Sequence, residues 1–136
     1  RIPRDCKLLT DEYETMVLHS QGDQTEWSQS FVPDLDGMIS PEAVLRMLGD
    51  RGFQEVLLEG GPSTARCFLD AGLVDRVILI DTEHRFEQGV PFGISNEDLR
   101  KMELEMVKEF DWGGDKVRCW SRRGLGWPTP SWPTPL

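Results

Sequence analysis

Short apolar runs separated by polar, glycine-containing segments dominate the hydrophobic pattern of the chain. Three of these runs have the length and composition of β-strands, at residues 15–19, 53–58 and 74–81. The second contains VLL and the third VILI, which are apolar enough to be buried on both faces of a sheet. We therefore expect all three strands to belong to the interior of an α/β domain.

A helix is predicted between the first two strands. Ser40, Pro41 and Glu42 form a typical helix start, with a capping hydroxyl, a proline at the first helical position and an acid beside it. The apolar residues that follow, as far as Leu48, recur at helical spacing. The preceding residues 20–37 are rich in Gly, Pro, Asp and Ser, and are predicted to form a long irregular segment.

A second helix is predicted between the second and third strands. It covers residues 63–71 and ends at Gly72, a residue type that commonly stops helices. Its predicted core face consists of Ala65, Phe68 and Leu69. Because strand, helix and strand alternate with short links, the pattern predicts two βαβ units and parallel pairing of their strands.

The pattern changes to antiparallel structure toward the C-terminus. A short capped helix is predicted at residues 95–102, followed by strands at 103–110 and 116–122. The intervening DWGGD is a hairpin turn candidate. One face of the last strand is predicted to carry Val117, Cys119 and Ser121. The predicted domain therefore ends on an antiparallel hairpin appended to a parallel sheet.

The composition shifts again after residue 123. The segment RGLGWPTPSWPTPL contains four prolines and a near repeat of WPTP, which excludes helix and central strand and favours extended polyproline II. We predict a domain at residues 1–123 and a Trp/Pro-rich tail at 124–136. Trp127 and Trp132 are the predicted anchors of this tail, either on its own domain or on a protein partner.

Length and charge narrow the functional classes. The 136 residues suit one compact domain, and 15 basic against 24 acidic residues give a net charge of −9 and a pI near 4.7. Nucleic-acid binding is disfavoured, because phosphate contacts need clustered Lys and Arg. No apolar run reaches the 18 residues of a transmembrane helix, so no transmembrane segment is expected.

The cysteines indicate a reducing environment. Cys6, Cys67 and Cys119 are odd in number, far apart and without metal-ligand spacing, so they are predicted to be reduced core thiols. With no visible signal peptide, the protein is expected in the cytoplasm or an organelle such as a plastid, and not to be secreted. Because the chain starts at Arg1 without methionine, a processed or trimmed product is expected.

The segment EGGPST, at residues 59–64, is the strongest candidate for chemistry. Gly60 and Gly61 leave room for a ligand to touch the backbone, and Pro62 suits a helix start. Ser63 and Thr64 offer hydroxyls beside the free N–H groups of a helix N-terminus, an arrangement that favours an anion such as a nucleotide diphosphate. A tight structural turn between strand and helix is the alternative, and spacing alone does not decide between them.

The neighbouring residues resemble a known family. EVLLEGGPSTARCFLDAGLVDRVILI is similar to the C-terminal reductase domain of the bifunctional deaminase/reductase of riboflavin biosynthesis, which has an apolar strand, a Glu-Gly-Gly turn with Pro, a helix, GLVD and another apolar strand. RIPRDCKLL and GDKVRCWSRR look like earlier and closing segments of that family. The resemblance covers residues 1–123 and is strongest at 59–80.

The resemblance implies a dihydrofolate-reductase-like α/β fold with a mostly parallel sheet. It also implies NADPH-dependent reduction of the ribosyl ring of 5-amino-6-(5-phosphoribosylamino)uracil to a ribityl chain. By position, Glu59 would contact the substrate. The residues that would hold the cofactor phosphates are Gly60, which shapes the turn, and Gly61, Pro62, Ser63, Thr64 and Ala65.

The chain also departs from the family. The opening strands and helix of that domain have no counterpart before Arg1, the loop at residues 81–93 is acidic and unlike the family's, and the Trp/Pro tail is foreign to it. We therefore expect an incomplete domain, and a second function stays open: a non-catalytic, reductase-like interaction subunit of a larger assembly, docked through the tail. Asp81, Glu83, His84 and Glu87 are interpreted as a solvated acidic loop rather than a metal site.

Overall fold

The computed structural model describes residues 5–13, 15–19, 29–31, 34–35, 38–84 and 87–127. The chain divides into two compact units, Arg1–Val56 and Leu57–Leu136. Helices and strands occur in both, as expected for an α/β protein. None of the helices within these described ranges is long and apolar enough to cross a membrane.

The described residues of the first unit form two short helices and two strand pairs. Its elements are α1 (Lys7–Thr10), β1 (Val17–His19), β2 (Gln29–Phe31), β3 (Asp34–Leu35), β4 (Met38–Ile39) and α2 (Pro41–Asp50). Strand β1 pairs with β2 in parallel, and β3 with β4 antiparallel. The predicted first strand is thus confirmed over three residues, whereas the long irregular segment predicted at residues 20–37 contains β2 and β3.

Helix α2 begins as its sequence predicts. The Ser40 hydroxyl accepts a hydrogen bond from the Ala43 N–H at 3.3 Å, and Pro41 occupies the first turn with Glu42. This satisfies one of the N–H groups that every helix start leaves without an intrahelical acceptor. The apolar face of α2, with Val44, Met47 and Leu48, is half-buried.

The second unit is built on a three-stranded antiparallel sheet. Its elements are α3 (Pro62–Asp70), β5 (Arg76–Asp81), α4 (Asn96–Lys101), β6 (Leu104–Trp112) and β7 (Asp115–Arg122). The strand order is β5-β7-β6, so β7 is central and pairs antiparallel with both neighbours. The predicted second helix, third strand, short capped helix and C-terminal hairpin are therefore confirmed, with boundaries that differ by at most two residues.

The predicted second strand is wrong. Residues 53–61 have no regular secondary structure, and the apolar side chains expected to be buried on both faces are exposed, Leu57 to 81%. A strand forms only where its N–H and C=O groups find a neighbouring backbone, and no strand of the described ranges pairs with this run. Both predicted βαβ units therefore lack a strand. The described strands do not form the predicted mostly parallel sheet, because parallel pairing among them is limited to β1 with β2.

The core of the second unit lies where α3 and α4 cover one face of the sheet. Leu69 of α3 and Leu99 of α4 pack with Leu104, Trp120 and Ile94, all almost fully buried. The residues packed around them are Val74, Val77, Leu79 and Met102. This cluster holds the C-terminal part of α3, through Leu69, against the sheet.

The hairpin turn is made by two glycines with positive φ. Gly113 has φ 63° and Gly114 has φ 97°, values that side chains disfavour and that match a two-residue hairpin loop. The predicted face of Val117, Cys119 and Ser121 is buried as expected. The opposite face of β7 is also buried at Trp120, as is typical of a central strand.

Candidate functional site

The predicted anion-binding turn lies directly before α3. Gly61 is the N-cap residue, in an extended conformation with φ −64° and ψ 175°, and its carbonyl accepts the first helical hydrogen bond from the Ala65 N–H at 3.0 Å. The N–H groups of Ser63 and Thr64 precede that bond. Helix geometry leaves such groups without an intrahelical acceptor, so both are available to an external one.

Gly60 is required by the packing of the turn itself. A Cβ added there would lie 2.7 Å from the Thr64 Cβ and 2.9 Å from its Cγ2. Carbon atoms that are not bonded to each other do not approach this closely, so only glycine at residue 60 allows Thr64 to pack over the turn. Glycine is thus needed at residue 60 for the packing of the turn, which agrees with a role in shaping it.

Gly61 has no such internal reason. Its φ is negative, and a Cβ added there would meet nothing within 4 Å. Any small side chain would therefore fit the chain as it stands, and Ser or Asp would cap the helix better. The open space above Gly61 is room that a ligand in contact with the backbone could use.

The electrostatics of this helix start also favour an anion. No side chain caps α3, and its first turn carries no acidic residue. The first turns of α2 and α4, in contrast, contain Glu42, and Glu97 with Asp98. The partial positive charge of the α3 N-terminus is therefore not offset by its own side chains.

The remaining predicted site residues surround this turn. Ser63 and Thr64 are exposed, and Pro62 and Ala65 are half-buried against the helix they begin. Glu59 is exposed in the irregular segment 53–61. Its predicted position at the end of a strand, on the edge of a parallel sheet, is wrong because that strand does not form, although the carboxylate remains adjacent to Gly60.

The predicted docking residues are only partly within the described structure. Trp127 is half-buried, and the chain just before it is held by a hydrogen bond from Arg76 Nη2 to the Gly126 carbonyl at 3.2 Å. Trp132 lies outside the described residues. Docking through the tail therefore stays a prediction, as does the domain boundary at residue 124.

An apolar cleft and an acidic loop are the other candidate sites. In the first unit, an apolar cleft of about 340 Å³ is lined by Met16, Leu18, Leu48 and Phe53. In the acidic loop, Asp81 accepts a hydrogen bond from Arg118 Nε at 3.0 Å. Within the described ranges, no three His, Cys, Asp or Glu side chains are grouped as a metal site would need.

Sequence reasoning overlooked Arg66, a cation two residues after Thr64. Its Nε donates to Asp70 Oδ2 at 2.9 Å, one turn along α3, and both side chains are about half exposed. The hydrogen bond and the charge of Asp70 raise the pKa of Arg66. The spacing of four residues between an Arg and an Asp is the sequence signal that could have predicted this pair.

Comparison with known proteins identifies the family. The model of the RibD C-terminal domain matches residues 1–81, which is more than half of the chain and includes the whole turn before α3. The chain belongs to the RibD C-terminal domain family. The predicted resemblance is thereby confirmed, while its extension over residues 82–123 stays a prediction.

Individual relatives support this assignment. The chain is 35% identical over 77 residues to riboflavin biosynthesis protein RibD of two Mycobacterium tuberculosis strains, CDC 1551 / Oshkosh and ATCC 25618 / H37Rv. That region is 57% of this chain and 17% of each relative. The Escherichia coli K12 protein of the same name is 27% identical over 77 residues, 54% of this chain and 21% of the relative. The matched region thus spans about a fifth of these relatives.

Proposed function

We propose that the chain forms part of an NADPH-dependent reductase domain that acts on 5-amino-6-(5-phosphoribosylamino)uracil, with a dihydrofolate-reductase-like architecture. The observation that carries the proposal is that the family match contains the exposed turn with its free backbone N–H groups. A phosphate-bearing cofactor is the ligand class that such a helix start suits.

Each residue of the turn would have a different role in binding the cofactor. The N–H groups of Ser63 and Thr64 would donate to a phosphate oxygen, and their hydroxyls offer further donors. Gly61 would let the phosphate approach the backbone, because a Cβ would project into the space that is open in the structure. Gly60 acts indirectly, since it permits the Thr64 side chain to pack on the turn.

Glu59 would bind the substrate beside the cofactor. Its carboxylate is exposed and adjacent to the turn, and a carboxylate accepts hydrogen bonds from sugar hydroxyls and ring N–H groups. NADPH, when bound, supplies the hydride. The role of this chain is to orient the two molecules, which is the usual contribution of protein to cofactor chemistry.

Titration of NADPH into the purified chain tests the proposal. Saturable quenching of tryptophan fluorescence is expected. Gly61→Asp should raise the dissociation constant for NADPH by about tenfold or more, because it adds a negative charge where the phosphate would bind. Gly49→Asp is the matched control: it adds the same charge at an exposed glycine of α2 that also has open space around it.

Failure of this experiment has a definite meaning. If NADPH shows no binding up to millimolar concentration, the reductase proposal for this chain is wrong. The alternative, a non-catalytic interaction subunit docked through the tail, would then be the function to test. A partner whose binding is lost when residues 128–136 are deleted would support that alternative.

A further inference from the structure

The GLVD segment, residues 72–75, lies between α3 and β5 and has no part in the proposed cofactor turn. Gly72 has φ 69°, and its N–H donates to the Leu69 carbonyl at 2.9 Å. The Leu73 N–H donates to the Phe68 carbonyl at 3.1 Å. These two bonds form the Schellman motif that commonly closes a helix. They use N–H groups of the segment, so its carbonyl groups can accept from another donor.

Arg122, the last residue of β7, is that donor. Its Nη2 donates to the Gly72 carbonyl and, at 3.0 Å, to the Val74 carbonyl. Its Nε lies 3.6 Å from the Asp75 Oδ1, and its backbone N–H donates to the Asp75 carbonyl at 2.8 Å. One residue of the central strand thus contacts most of the segment that follows α3. We call these contacts the Arg122 clamp.

The charge of Arg122 suits the helix end that it contacts. The C-terminal end of a helix carries partial negative charge on its carbonyl groups, which a cation stabilises. The last turn of α3 contains no basic residue of its own, so Arg122 supplies the cation from a distant part of the sequence. The Arg122 side chain is only 27% exposed, so water competes less for its hydrogen bonds to the carbonyl groups than at an open surface.

The base of the clamp is firmly held. The strand that carries Arg122 is central and pairs with both β5 and β6. Arg122 is opposite Leu104 of β6 in the register, and Leu104 is only 1% exposed. The clamp therefore joins α3 to the best-fixed strand of the sheet. It also joins residues 72–75, which lie within the family match at 1–81, to a residue beyond that match.

We propose that Arg122 is a positioning residue for the turn before α3, which rests on the cofactor-binding role proposed for that turn. The helix is most deeply buried near its C-terminus, at Leu69, which is 5% exposed. Gly61 is about 12 Å from Leu69 along the helix axis, at about 1.5 Å per residue. A tilt of a few degrees about Leu69 would move the N–H groups of Ser63 and Thr64 by about 0.5 Å, the tolerance of a binding site. The Arg122 clamp, on the other side of Leu69, opposes this tilt.

Amide hydrogen exchange of the full chain tests the clamp without any cofactor. In Arg122→Met, the amides of residues 65–71 should lose protection about tenfold or more, because hydrogen bonds from a charged group are lost. The amides of the β6–β7 hairpin should keep theirs, which separates this effect from a general loss of stability. Arg122→Lys keeps a cationic donor and should restore part of the protection. Arg123→Met is the matched control: it removes the neighbouring arginine, which pairs with Glu105 at 2.8 Å, and should leave α3 unchanged.

Titration of NADPH then tests the link between the clamp and the turn, at a temperature where circular dichroism shows each variant to be folded. Arg122→Met should raise the dissociation constant about threefold or more, because misplaced N–H groups lose part of a charge-assisted hydrogen bond. Arg122→Lys should recover affinity, and Arg123→Met should bind like the parent. If the parent itself binds no NADPH, the proposed function fails, and hydrogen exchange alone decides the positioning role. Equal affinity of Arg122→Met and a binding parent, or equal loss of protection in α3 and the hairpin, would overturn that role.

Discussion

Thr64 packs so closely on Gly60 that a Cβ at residue 60 would lie 2.7 Å from the Thr64 Cβ. The turn before α3 thus contains two adjacent glycines that are present for different physical reasons. Gly60 is fixed by its neighbour in the fold, whereas Gly61 has open space and an ordinary negative φ. The difference separates the stability of the turn from its capacity to bind a ligand.

Gly60→Ala is therefore expected to destabilise the chain, and Gly61→Ala is not. The clash at residue 60 should lower the free energy of unfolding by about 1–3 kcal/mol, the usual cost of overpacking, whereas Gly61→Ala should change it by less than about 0.5 kcal/mol. Urea denaturation measures both. In a Thr64→Gly background the cost of Gly60→Ala should fall by at least half; an unchanged cost would show that the clash is not its cause.

The core predicts a second contrast, between two leucines. Leu99 has no exposed surface and packs with Leu69, Leu104 and Trp120, whereas Leu57 is 81% exposed. Leu99→Ala should reduce the free energy of unfolding by about 2–5 kcal/mol. Leu57→Ala should stay within about 0.5 kcal/mol of the parent. A large loss at Leu57 would mean that residues 53–58 are buried, as the hydrophobic pattern alone suggested.

Glu103 predicts a substitution that raises stability. It follows α4 and has φ 62°. Among the described residues, the others with a positive φ are all glycines. Its N–H donates to the Arg100 carbonyl at 3.1 Å, as in a helix C-terminal cap, where glycine is the favoured residue. Glu103→Gly should raise the free energy of unfolding by about 0.5–1 kcal/mol. Glu103→Val should lower it, and equal effects would contradict the left-handed assignment.

The elements that sequence predicted correctly are those with local causes. Ser40 with Pro41, Ser95 with Asp98, and the Gly113-Gly114 turn each act through residues within four positions, so their effect can be seen in the sequence. Residues 53–58 failed because a strand depends on a distant partner, which no local pattern reports. An apolar run is evidence that a segment can be buried, and it does not say which backbone will pair with it.

The candidate site follows the same division. Its residue types and the start of α3 could be predicted from EGGPST, since a glycine turn and a proline at a helix start are local features. The contact between Gly60 and Thr64, and the position of Glu59 outside a sheet, depend on three-dimensional packing and could not. The full burial of Trp120 was also not predicted, because it depends on the helices that pack on that face of the sheet.

The start of α4 predicts a dependence of stability on pH. Asp98 Oδ2 accepts hydrogen bonds from the Ser95 N–H at 2.9 Å and the Ser95 hydroxyl at 2.8 Å, which hold the pKa of Asp98 below its ordinary value. A carboxyl group whose pKa is lower in the folded state stabilises the fold above its unfolded pKa, about 3.9. That contribution is lost as the pH falls through the folded-state pKa.

Urea midpoints measured from neutral pH down to about pH 2, below the unfolded pKa of about 3.9, test this dependence. Asp98→Asn should lower the midpoint at neutral pH and reduce its fall under acid, because the group that titrates has been removed. Glu97→Gln is the matched control, because it removes one charge from the same turn and leaves the capping box intact. The Glu97 carboxylate pairs with Lys101 Nζ at 2.8 Å and takes no part in the bonds to Ser95. If Glu97→Gln flattened the acid dependence as much as Asp98→Asn, helix-end charge in general would explain it, and the specific role of the Ser95–Asp98 pair would be refuted.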